Sequence, residues 1–83
     1  MEEKLVGMRT LRCENGEELV LSYYRLQQGK QYGAAVRTDA GEYAALPDIT
    51  AQREKIDELL CLLMEGTVTP VTFQNVVEDW LAG

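Results

Sequence analysis

The spacing of apolar residues changes once along this chain, near residue 47. Before that point they come in short dense runs between turn-forming residues; after it they recur at helical spacing. "LVLSYYRL" (Leu19–Leu26), "YGAAVRT" (Tyr32–Thr38) and "EYAAL" (Glu42–Leu46) are rich in aromatic, branched and aliphatic residues and predict strands. Asn15-Gly16 suits a type I′ turn, which needs positive φ at both central residues. Gly29 breaks the next junction, "DAG" offers a three-residue loop with Gly41 in the left-handed position, and Pro47 is expected to end the last strand. Residues 4–12 fit two patterns. Leu5, Met8 and Leu11 are spaced like a helix face, whereas Gly7 and the following Asn-Gly turn favour a strand. Turns this short and regular predict antiparallel neighbours in a meander.

From residue 48 the period is that of a helix. Thr50 is the expected N-cap of a helix over Ala51–Glu65, with Gly66 as its C′ residue. Ile56, Leu59, Leu60, Leu63 and Met64 fall on one arc, and Glu54, Glu58 and Glu65 on the opposite side. Leu62 lies beyond the arc, either exposed or against the next helix. Thr69 and Pro70 predict a second helix start, and Val68 and Phe73 match a hydrophobic staple across it. Phe73, Val76, Val77, Trp80 and Leu81 then repeat at i, i+3, i+4, i+7 and i+8. Trp80 stands near the middle of that arc, so it is expected to hold the helix on the core. Its place close to the chain end also makes it a candidate anchor for a partner.

These elements predict one α+β domain over residues 1–83. An antiparallel meander of three to four strands fills residues 1–47, and a two-helix hairpin over 48–83 packs on one of its faces. The alternating sets of the second strand, Leu19, Leu21 and Tyr23 against Val20, Tyr24 and Leu26, are both largely apolar. The pattern therefore leaves open which face the helices cover. The uncovered one is a candidate interface, and Ala34, Ala35, Ala44 and Ala45 would let another layer approach closely.

Charge narrows the choice of partners. The net charge is −6, of which residues 48–83 carry −5. Phosphate recognition needs a basic surface, so nucleic acid is a poor partner for this chain. No apolar run approaches the roughly 20 residues of a membrane span, and "MEEKLVGMRT" lacks the basic start and apolar core of a signal peptide; the expected location is cytoplasmic. Cys13 and Cys61 are then expected to be free thiols, Cys61 buried among leucines, and with no histidine in the chain no metal site is expected.

Catalytic signals are absent. The commonest general base is missing, and the glycines do not assemble a phosphate loop. Neither an enzyme activity nor a cofactor is expected. Glu78 and Asp79 stand near the end of the second helix, where the helix dipole disfavours acids. Arg25 or Arg37 on the sheet, or a basic partner, is expected to compensate them.

The stretch "ALPDITAQREKIDELLCLLMEGTVTPVTFQNVVEDWL" resembles a family of short clostridial proteins, a domain of unknown function. Asp48-Ile49, the leucine-rich helix Leu59–Leu63, Val68-Thr69-Pro70 and Val77-Glu78-Asp79-Trp80-Leu81 carry the resemblance, which covers mainly residues 46–81. It implies a fold and a bacterial cytoplasm but no activity. Family members often carry a histidine after the proline turn, where this chain has Val71-Thr72-Phe73.

The function expected from the sequence is a small protein-interaction module, adaptor or regulatory, binding another protein or a second copy of itself. Tyr24, Leu62, Glu78, Asp79 and Trp80 are the candidate contact residues. The alternatives are a small-ligand binder or enzyme with a pocket edged by Tyr23, Tyr24, Tyr32 or Tyr43, and an acidic decoy for a nucleic-acid-binding protein. An enclosed pocket with converging polar groups would favour the ligand binder, and a flat apolar face the interaction module.

Overall fold

A computed structural model describes residues 1–83. Four strands, β1 (Glu2–Arg12), β2 (Glu18–Gln28), β3 (Gln31–Thr38) and β4 (Tyr43–Thr50), precede two helices, α1 (Arg53–Glu65) and α2 (Pro70–Ala82). The sheet is an antiparallel meander in the order β1-β2-β3-β4, and both helices contact it. The α+β architecture read from the sequence is the one present, with four strands. Residues 4–12 are strand, paired along β2 from Glu2↔Gln27 to Arg12↔Glu18 with a bulge at Val6.

The turns follow their glycines, with one correction. Gly29 takes φ +60° at the first position of the two-residue β2–β3 turn, as a type II′ turn requires. Gly41 takes φ +97° at the end of the predicted "DAG" loop, closed by hydrogen bonds from Thr38 N–H to the Glu42 carbonyl (2.9 Å) and from Gly41 N–H to the Thr38 carbonyl (3.1 Å). The Asn15-Gly16 turn is not type I′. Only Gly16 has positive φ, and the loop repeats the "DAG" geometry: Cys13 N–H donates to Glu17 (2.7 Å) and Gly16 N–H to Cys13 (3.0 Å). The Asn15 side chain accepts from Glu17 N–H at 3.0 Å, and this local bond favours the longer loop.

Pro47 does not end β4, which continues to Thr50. The strand tolerates proline because it lies at the sheet edge, where a ladder donor can be spared. The pairing shifts there, from Ala34↔Leu46 to Tyr32↔Thr50, as β4 passes over Gly33. A Cβ on Gly33 would meet the Leu46 carbonyl oxygen and the Pro47 backbone, so no larger residue fits under the shifted strand.

Helix α1 starts later than the sequence implies. Gln52 is its N-cap residue, while Thr50 closes β4 and accepts a hydrogen bond from Gln52 N–H through Oγ1 (3.1 Å). At the other end Gly66 keeps a right-handed conformation (φ −84°), and Thr67 takes the left-handed one (φ 49°). Val68 N–H bonds the Leu63 carbonyl (3.0 Å) and Thr67 N–H that of Met64 (3.1 Å), which makes a Schellman cap. Val68 and Leu63 also meet in the core, the apolar contact such a cap favours. Thr69 and Pro70 begin α2 as predicted, but the Thr69 side chain makes no capping bond.

The core joins Leu21 and Tyr23 of β2 and Ala34 and Val36 of β3 to Ile56, Leu59, Leu60 and Leu63 of α1, Phe73 and Val77 of α2, and Val68 between the helices. The helices therefore cover the Leu21–Tyr23 face. Full burial of each leucine or phenylalanine contributes about 1.5–3 kcal/mol. Met64 is half-buried and reaches β1 because Gly7 leaves it room. Leu81, predicted on the apolar arc of α2, is instead exposed, and in the last turn Trp80 is the residue that packs against the core.

Tyr23 ties the two layers together. Its hydroxyl donates to the Val68 carbonyl at 2.8 Å inside the core. Burial raises its pKa from 10.0 to about 12, with the Arg9 charge acting to a smaller extent in the opposite direction.

Two predictions follow from these local features. Thr67→Gly should stabilise the fold by about 1 kcal/mol, because a β-branched residue is strained at positive φ; the midpoint of urea unfolding measures it. Tyr23→Phe should cost about 1–2 kcal/mol near neutral pH by leaving the Val68 carbonyl unpaired. The folded state favours the protonated phenol, so this contribution is complete below pH 10.0 and disappears as pH rises toward about 12. Unfolding midpoints of the two proteins should therefore converge over that interval.

Candidate interaction surface

Strand alternation puts every second residue on the face away from the helices. With Tyr24 as reference, the pairing sets Leu5 beside it on β1, Ala35 on β3 and Ala45 on β4. Glu3, Met8 and Thr10 of β1, Val20, Ser22 and Leu26 of β2, Arg37 of β3 and Tyr43 of β4 share that face. No helix covers it. Leu26 and Ala35 are nonetheless buried without belonging to the helix-covered core, so the side chains of this face shield them.

Arg37 organises the centre. Its guanidinium carbon lies 5.4 Å from the centroid of the Tyr24 ring and 5.1 Å from that of Tyr43. Both are cation–π distances. The Glu3 carboxylate is 3.8 Å away on the same face. Arg37 stays about half exposed (50%), with Tyr43 (47%) beside it, and Leu5 (49%) and Met8 (52%) on β1 are open to solvent on the same face. The arrangement presents apolar area around a guanidinium that is held in place and still has N–H groups to offer.

The sequence singled out Tyr24 but neither Arg37 as its stacking partner nor Tyr43 as the second ring. The signal was available: closing the "DAG" loop at Thr38 and Glu42 puts Arg37 directly opposite Tyr43.

The other candidates lie across the sheet from Tyr24, on the helices. Leu62 is exposed on α1, and Glu78 and Asp79 are exposed on α2. Trp80 is partly buried: it packs against the core and also lines an open cleft of about 510 Å³ with Ile49, Thr50, Lys55, Glu58, Leu81 and Gly83. That cleft includes none of the other four candidates. A second hollow of about 320 Å³ is lined only by Glu2, Glu3, Lys4, Arg25 and Gln27. Neither contains a tyrosine: Tyr23 is committed to the core, and Tyr24 and Tyr43 to Arg37.

Neither sheet arginine reaches the acids of α2. Arg25 pairs with Asp57 of α1 at 3.2 Å, and Arg37 is on the far face. Glu78 accepts only from Gln74 one turn earlier (3.1 Å), so the end of α2 presents uncompensated acids to solvent.

Cys61 is exposed rather than buried, because it sits on the outer side of α1. Its thiol lies 3.6 Å from a Glu65 carboxylate oxygen. The charge of Glu65, and then its hydrogen bond, raise the thiol pKa and keep it protonated. No cluster of Cys, Asp and Glu is arranged to hold a metal ion, and no helix is long and apolar enough to cross a membrane.

The chain belongs to a family of unknown function, DUF6514, whose family model matches residues 2–83 and so takes in the strands as well as the helices. No curated protein and no solved structure matches it.

Because Glu65 suppresses the thiolate, Glu65→Gln should speed alkylation of Cys61 by iodoacetamide near neutral pH. The rate is read by mass spectrometry in a Cys13→Ser background, and a rate equal to that with Glu65 present would show that the carboxylate does not control the thiol.

Proposed function

We propose that this chain is a small cytoplasmic protein-interaction module, adaptor or regulatory, which docks a protein partner on the open face of its sheet. The clostridial origin implied by the sequence resemblance belongs to the same proposal. The observation that carries it is the Tyr24–Arg37–Tyr43 stack, set among half-exposed Leu5 and Met8 on a face that no element of the chain covers. Aromatic residues and arginine are the side chains most often found at the energetic centres of protein interfaces. A surface with apolar side chains flanking a carboxylate fits this face. The rings and aliphatic residues would bury apolar area, and the held guanidinium would meet the carboxylate with little further ordering.

The small-ligand alternative is less well supported, because both hollows are open and the tyrosines do not converge on either one. The acidic helices are a weaker surface for the same purpose, since exposed charges alone give little affinity.

A pull-down of tagged protein from nuclease-treated native lysate, read by mass spectrometry, tests the proposal. One stoichiometric partner should be retained by the unaltered chain and by Glu78→Gln/Asp79→Asn, and lost with Arg37→Glu/Tyr43→Ser. Equal recovery with the sheet-face variant would overturn it.

A further inference from the structure

Strand β1 is unusual in how little holds it. It spans 11 residues, yet none is buried, and only Gly7 and Leu11 are even partly covered. It packs only on β2 and α1, apart from the Glu3–Arg37 ion pair to β3, and its outer edge carries a row of unpaired backbone groups. Met1, Leu5, Val6 and Met8, four of the large apolar residues exposed in this chain, lie on it or next to it. The opposite edge of the sheet differs: β4 contains Pro47, has a broken register and contacts α2.

The charge of β1 is segregated along its length. Glu2 and Glu3, followed by Lys4, stand at the start, and Arg9 and Arg12 at the end, Arg12 also pairing with Glu18 at 3.2 Å. Such a strand is complementary to itself when two copies run antiparallel, because each acidic start then lies near the other's basic end. We infer that β1 is a homodimer edge, at which a second copy of this chain adds strand to strand and makes one continuous sheet of eight strands.

The register can be read from the faces. Leu5 and Met8 both lie on the open face, and Lys4 and Arg9 on the helix-covered one. Setting Leu5 opposite Met8 of the second copy keeps both faces continuous and puts Val6, the bulged residue, beside the two-fold axis. Glu3 then lies diagonally across from Arg12 of the second copy on the open face, and Glu2 from its Arg9 on the other, distances at which long side chains interact. One pairing is unfavourable: Lys4 faces Arg9 of the second copy. The two open faces join, each bringing its own Tyr24–Arg37–Tyr43 stack. The dimer does not depend on what that face binds, so either inference can fail without the other.

Sedimentation equilibrium at rising concentration tests it. The unaltered chain should approach twice the mass of one chain. Glu2→Arg/Glu3→Arg makes the edge wholly basic at its ends and Arg9→Glu/Arg12→Glu makes it acidic. Each variant alone should sediment as one chain, and an equimolar mixture should regain the double mass. Lys4→Glu, by relieving the one unfavourable pairing twice per dimer, should tighten association severalfold. Circular dichroism should show all these variants folded, because every substituted side chain is exposed. A single-chain mass for the unaltered protein at millimolar concentration, dimers in both charge variants alone, or no recovery on mixing would each overturn the edge.

Discussion

Two helices of 13 residues cannot cover both faces of a four-stranded sheet. That constraint governs the rest of the molecule. The helices take the face bearing Leu21, Tyr23, Ala34 and Val36, and α2 reaches only β3 and β4. The small Ala34 lets the helices come close, and the Tyr23 hydroxyl pins the centre of the sheet to the turn between them. What the helices cannot reach is left to other means. The open face shields Leu26 and Ala35 with its own rings and arginine, and β1 is held mainly by its ladder to β2. Ordering a residue's backbone costs roughly 1–2 kcal/mol, so a long strand with no buried side chain gives the fold little in return for being ordered.

The parts of the fold that were legible in the sequence depend on local chemistry. Gly41 and Gly29 mark turns because those positions need positive φ, and the arcs of α1 and α2 follow from helical spacing. The errors arise where tertiary context decides. Pro47 reads as a strand end until β4 is known to be an edge strand, and Gly33, which lets β4 shift, lies on the preceding strand across the β3–β4 turn. Gly66 is the obvious left-handed residue, yet Thr67 takes that role, because the cap is set by where Val68 must enter the core. Thr50 reads as a helix cap but is used as the last strand residue. Of the candidate surface, Tyr24 was legible as an apolar residue out of alternation. Its partner Arg37 was not, because a charged residue between two rings is indistinguishable in sequence from a solvated one.

Charge is partitioned by layer. The helices expose Glu54, Glu58, Glu65, Glu78 and Asp79, whereas five of the basic residues, Lys4, Arg9, Arg12, Arg25 and Arg37, are on the sheet. The ion pairs that cross between layers or strands, Arg12–Glu18, Arg25–Asp57 and Arg37–Glu3, each have at least one partner open to solvent, and such pairs contribute little stability. Their effect is on orientation. Lys4, Arg9 and Arg25 lie on the helix-covered side of the sheet, whereas Arg37 is held between two rings on the open face. Apolar area and one held cation therefore coincide on the open face, so that burial and a directed charge contact would favour the same docked pose.

The two edges of the sheet complete the argument about assembly. A strand edge that is free at both ends of a sheet permits endless addition, and proteins guard against it. Here the guard is one-sided: β4 has Pro47, a register shift and the neighbouring α2, whereas β1 has a single bulge and charges gathered toward its two ends. A contact of β1 with β1 uses the same edge on both copies, so it is isologous and closes at two. The outward edges of such a pair are both β4, and neither can continue the ladder past its proline. A fold too small to cover its own sheet can thus leave one edge open without the hazard of growth, because that edge is used up by its own copy.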